Sequence, residues 1–67
     1  MGHREQLLNR MTELMSVTMG HETGKIYHDF YELEDEEEII MGARSLLHDF
    51  LGPERADRVV NEARKHL

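Results

Sequence analysis

The sequence predicts an all-α fold: a small helical bundle of three longer helices and one short one, arranged as two αα-hairpins. Three observations predict it. Two long segments place apolar residues on one face at helical spacing. Each of these segments ends in a glycine and is followed by a shorter apolar segment. The chain has 67 residues, which suffices for one domain spanning residues 1–67 and no more.

The first helix is the plainest. Leu7, Leu8, Met11, Leu14, Met15, Thr18 and Met19 follow the i, i+1, i+4, i+7, i+8, i+11, i+12 rule. At about 100° per residue this puts them on one face. Arg4, Glu5, Arg10 and Glu13 fall outside the stripe, and Gly20 stands where a left-handed C-terminal cap is expected.

The second helix is the least defined. Ile26, Tyr27, Phe30 and Tyr31 have helical spacing, but Thr23-Gly24 reads as a turn, and the aromatic-rich run also suits an extended segment. A short helix from about Gly24 to Tyr31 is expected.

The third helix repeats the stripe of the first, thirty-two residues later, through Ile39, Ile40, Ala43, Leu46, Leu47, Phe50 and Leu51, with Gly52 following. Asp35 is the expected N-cap, and Glu38 completes a capping box. Acids in this first turn suit the positive end of the helix dipole.

The fourth helix opens at Gly52-Pro53-Glu54, where proline loses no hydrogen bond because a first-turn N–H has no helical partner. Ala56, Val59, Val60, Ala63 and Leu67 form a narrower stripe whose alanines allow close approach of a neighbour. A second internal offset, of twenty residues, sets His28-Asp29-Phe30 on His48-Asp49-Phe50. The match is either a remnant of duplication or a chance alignment of amphipathic helices of similar composition, and chance is the expectation.

Composition bounds the function. There is no cysteine, so disulfides and thiolate metal sites are excluded. A chain this short buries little core, which makes self-association the expected source of added stability. The net charge is −6, and six acids, Glu32, Glu34, Asp35, Glu36, Glu37 and Glu38, form one run broken only by Leu33. An acidic domain repels phosphate backbones, so nucleic-acid binding is not expected. The remaining opening for it is a small dimeric DNA-binding regulator of the helix-turn-helix kind. Against that, the third helix opens with Glu36-Glu37-Glu38, and the arginines of the fourth alternate with acids. No apolar run is long enough to span a membrane, and residues 1–5 lack the apolar core of a signal peptide. A cytoplasmic location is the expectation.

No catalytic residue is predicted. Ser16 and Ser45 have no motif around them, and no glycine-rich phosphate loop occurs. No cofactor is expected. A histidine–carboxylate metal site is the alternative, with His28, Glu32, His48 and Asp49 as its ligands if the second and third helices converge; no Glu-x-x-His or His-Glu-x-x-His motif backs it.

The functional expectation is a non-enzymatic protein–protein interaction module, regulatory, adaptor or subunit-like, acting as a homodimer. Methionine points there, being flexible and polarizable enough for adaptable interfaces. Met15 and Met19 continue a methionine row on the first helix, and Met41 falls off the stripe of the third. With Tyr27 and Tyr31 these are the expected interface residues, placing the first helix and the Met41 side of the third at the dimer contact. The acidic run is either a solvated helix start or a docking patch for a basic partner.

Overall fold

The computed structural model describes residues 2–65, which form four α-helices and, among the described residues, no strand. These are α1 (His3–Met19), α2 (His21–Tyr31), α3 (Glu36–Leu51) and α4 (Pro53–Lys65). Leu67, expected at the end of the α4 stripe, lies outside the described residues.

Every helix contributes to one core. Leu7, Leu8, Met11 and Met15 come from α1, Tyr27 from α2, Ile39, Ala43 and Leu47 from α3, and Ala56 and Val60 from α4. The predicted stripes of α1, α3 and α4 therefore face inward, with one exception. Phe50 is 56% exposed, while the next residue, Leu51, packs against the core. α1 packs most extensively on α2, and α3 on α4; of the helix pairs that touch, α2 and α3 do so least. The Cα radius of gyration is 10.6 Å, against about 11 Å for a compact chain of this length.

Two helix junctions consist of a single glycine. Gly20 has φ 110° and ψ 155°, and Gly52 has φ 91° and ψ 157°. The φ is positive, as the expected caps require, but ψ is extended rather than left-handed helical, a region essentially confined to glycine. One residue closes one helix and opens the next, and a corner that tight needs this geometry. The Gly20 N–H donates to the Ser16 carbonyl at 3.1 Å, while its own carbonyl accepts from the Gly24 N–H at 3.1 Å. Gly52 repeats the pattern with His48 at 2.9 Å and Ala56 at 3.0 Å.

α2 starts at His21, three residues earlier than the sequence suggests, and spans 11 residues. Thr23-Gly24 is thus helix and not turn. Gly24 is buried where α1 and α2 cross. A Cβ there would meet Ser16 Oγ and lie 3.0 Å from Ser16 Cβ and 3.1 Å from its Cα. The glycine serves close approach, not a turn conformation.

The segment between α2 and α3 is held at both ends. Asp35 caps α3, its carboxylate accepting from the Glu38 N–H at 2.9 Å. From α1, Arg4 Nη1 donates to the Glu32 carbonyl at 2.8 Å and the Glu34 carbonyl at 2.9 Å. His3 Nδ1 lies 3.1 Å from Glu36 Oε1.

Candidate functional site

The five residues expected at an interface do not share one surface of this chain. Met15 and Tyr27 lie in the core. Met19 is partly buried and packs against that core. Tyr31 is partly buried, its ring seated over Gly42, where an added Cβ would fall 2.7 Å from Tyr31 Cε2. Met41 alone stands well out from the surface, at 55% exposure. Met15 and Tyr27 turn inward because α1 and α2 cross closely at Gly24, and the residues facing that crossing are covered.

The exposed apolar side chains are mostly others. Val17 is 81% exposed, Phe30 70% and Ile26 68%. Ile26 and Phe30 are one helical turn apart on α2. Their spacing marks an apolar face, but spacing does not say which part of that face a neighbour covers. Because α2 barely touches α3, only the Tyr27 side is buried, and the Ile26–Phe30 side borders an open groove.

That groove runs between α2 and α3 and encloses about 320 Å³. Ile26, Phe30 and Tyr31 line one wall, Gly42, Ser45 and Leu46 the other. Tyr31 bridges the aromatic side chains, with ring centroids 4.8 Å from both Tyr27 and Phe30. The residues lining the groove are uncharged. On α2, exposed Glu22 and Asp29 stand one turn either side of Ile26 and equally of Lys25, and Asp29 Oδ1 lies 3.8 Å from His28 Nδ1. On α3, exposed Glu38 and Asp49 share the helical row of Gly42 and Ser45. Exposed Lys25 is one turn from both Glu22 and Asp29, so the outer row of α2 carries both signs of charge.

A second groove, of about 470 Å³, lies between α1 and α4, with Leu14, Val17, Val59 and Ala63 as its apolar floor. Arg10, Glu13, Arg58 and Glu62 edge it.

The expected metal ligands separate into two places. His28, Asp29 and Glu32 offer ligand atoms within 4.8 Å of one another, all from the last turn of α2 and its end. His48 instead faces α4, its Nε2 3.2 Å from Asp57 Oδ1. Arg44 Nε is also 3.2 Å from that oxygen, so Asp57 already has two nitrogen neighbours. Asp49 is exposed on α3. Glu62 and His66, another helical pair in the sequence, fall partly outside the described residues.

The acidic run is divided in use. Asp35 caps, Glu36 pairs with His3, and Glu32 and Glu34 lend their carbonyls to Arg4. Glu37 and Glu38 stay exposed in the first turn of α3. Among the described residues no charged side chain is buried. Tyr27 is the titratable group most altered by its setting: burial, and then the neighbouring Tyr31, push its ionisation well above the ordinary phenol value.

The chain matches no protein-family model, no curated protein and no solved structure. Among the described residues no helix is long and apolar enough to cross a membrane.

Proposed function

We propose that this chain is a non-enzymatic protein-interaction module whose α2–α3 groove takes an amphipathic helix of a partner protein. Two αα-hairpins, α1–α2 and α3–α4, form the unit; the preferential packing within each pair supports that arrangement. The observation that carries the reading is the outward exposure of Ile26 and Phe30 beside the open α2–α3 groove. Large apolar side chains gathered at a groove mark a place where burial is completed by something else. A helix laid in such a groove anchors through apolar residues at i, i+3 or i+4, and i+7.

The acids of the α3 side define the partner further. Glu38 and Asp49, exposed in the row of Gly42 and Ser45, suit a helix with lysine or arginine beside its apolar face. Opposite charges at the edge raise the association rate and select against acidic partners more than they add affinity.

The test uses labelled model peptides, amphipathic helices of leucine with either lysine or glutamate on the polar face. Fluorescence anisotropy is expected to show saturable binding of the lysine peptide, weakening with added salt, and much weaker binding of the glutamate peptide. Phe30→Asp, with its helical circular dichroism retained, is expected to lose at least about tenfold in affinity, since burying a phenylalanine is worth about 1.5–3 kcal/mol. Equal affinity for both peptides, or no effect of Phe30→Asp, overturns the reading.

The His28–Asp29–Glu32 cluster supports a second reading, as a divalent metal site completed by water. It requires a zinc-dependent rise in melting temperature that His28→Ala removes; an unchanged melting curve eliminates it.

A further inference from the structure

The two grooves differ in charge, and that difference bears on what covers each. Beside the α2–α3 groove, the α3 side carries exposed Glu38 and Asp49 in the row of Gly42 and Ser45. The α1–α4 groove is balanced: Arg10 and Glu13 stand along α1, with Arg58 and Glu62 along α4, so each helix brings one positive and one negative residue. Arg10 Nη1 and Glu13 Oε1 already lie 3.6 Å apart within α1. Between these edges the floor is apolar, and Val17 projects from it as one of the most exposed hydrophobic side chains of the described residues.

We infer that the α1–α4 face is where a second copy of this chain docks, in a two-fold contact. In an isologous interface the same patch meets itself, so every residue of the patch faces another residue of that patch. Such a patch must complement itself in charge as well as shape. One arginine and one glutamate on each of two helices meet that condition, because arginines of one copy find glutamates of the other. The α3 side of the α2–α3 groove does not meet it: two copies joined there set Glu38 and Asp49 of one beside those of the other, which opposes association. The chain's overall charge of −6 does not oppose the α1–α4 contact locally, because the four charges of that edge sum to zero.

The floor suits the same occupant. Val59 and Ala63 are small, so helices of a second copy approach closely, and Val17 of each copy is placed to cover the apolar strip of the other. Eight residues edge and line the groove, fewer than the roughly 20–30 per side of a standard interface. The dimer is therefore expected to be weak, with a dissociation constant on the order of micromolar or higher. This places the contact on α4 rather than at Met41 of α3. It is independent of the α2–α3 reading, since the two grooves share no residue.

Sedimentation equilibrium of the full chain over a concentration series tests the inference. The wild type is expected to show a reversible monomer–dimer equilibrium. Val17→Asp changes an exposed side chain outside the core, so it is expected to fold and to weaken the dimer at least about tenfold. Phe30→Asp, in the other groove, is expected to leave the dimer intact. Two charge variants supply a measurement independent of the register. Arg10→Glu/Arg58→Glu makes an all-acidic edge and Glu13→Arg/Glu62→Arg an all-basic one; each alone is expected to be monomeric, and their mixture to form a heterodimer. A wild type that stays monomeric at every concentration overturns the inference. So does a dimer that survives Val17→Asp, one lost in Phe30→Asp, or a mixture of charge variants that fails to associate.

Discussion

Tyr27 shows how much one side chain connects. Its ring is in the core, and its hydroxyl donates to the Ile39 carbonyl at 2.6 Å. That bond joins α2 to α3 where the helices otherwise touch little. The hydroxyl must keep its proton to donate, and burial favours the neutral form. In the unfolded chain a tyrosine ionises near about pH 10; in the fold Tyr27 does so only at higher pH. Its contribution to stability is therefore complete below about pH 10 and is lost as pH rises above that value. Tyr27→Phe is expected to cost about 1 kcal/mol at neutral pH, the usual net worth of one hydrogen bond. It is also expected to reduce the alkaline fall in stability, measured as urea midpoints between pH 8 and pH 11. Wild-type and variant midpoints that decline in parallel would refute this account of Tyr27.

At the scale of elements, glycine does two different jobs, and only one is legible in the sequence. Gly20 and Gly52 end apolar stripes, so they read as terminators and are. Gly24 also reads as a turn, yet it lies inside α2 because Ser16 leaves no room for a Cβ. A steric need of this kind depends on the neighbouring helix, which local pattern does not contain. The same limit explains the interface residues. Periodicity marks Tyr27, Phe30 and Tyr31 as one apolar face, but burial of Tyr27 and exposure of Phe30 are decided by where α1 and α3 run. The Asp35 cap and the Pro53 start are local devices and are legible. The pairing of His48 with Asp57 is not, since it links side chains on separate helices. Gly24→Ala tests the close crossing. It gains up to about 1 kcal/mol in helix propensity, against about 1–3 kcal/mol for overpacking. The outcome expected is net destabilisation. Ser16→Gly in the same chain removes the Oγ and Cβ contacts and leaves only the Cα at 3.1 Å, so the double variant is expected to be more stable than the two separate effects sum to. Additive effects in thermal melts would show that the crossing has slack.

For the whole molecule, the weak point is the segment that links α2 to α3. Six acids gather in and beside it, and they repel one another. The fold answers with three local devices. The positive end of α3 faces the acids of its first turn, His3 sits against Glu36, and Arg4 reaches two carbonyls from α1. Arg4 matters most for the overall arrangement, because it fastens the start of α1 to the link between the α1–α2 and α3–α4 pairs. Removing its head group leaves those carbonyls to water, so the loss is that of ordinary exposed bonds. Arg4→Met, which keeps an unbranched apolar chain, is expected to lower stability by about 0.5–1.5 kcal/mol. For a domain of this size, roughly 4–8 °C in melting temperature accompanies each kcal/mol. Amide exchange is expected to rise in residues 32–36 before it rises in the core. Both bonds leave from one nitrogen, Nη1, rather than from the two prongs of the guanidinium. A lysine ammonium carries three donors at one point, so Arg4→Lys is expected to retain most of the stability. If lysine proves as damaging as methionine, the planar guanidinium must pack as well as donate, and the clasp holds by contact rather than by its two hydrogen bonds.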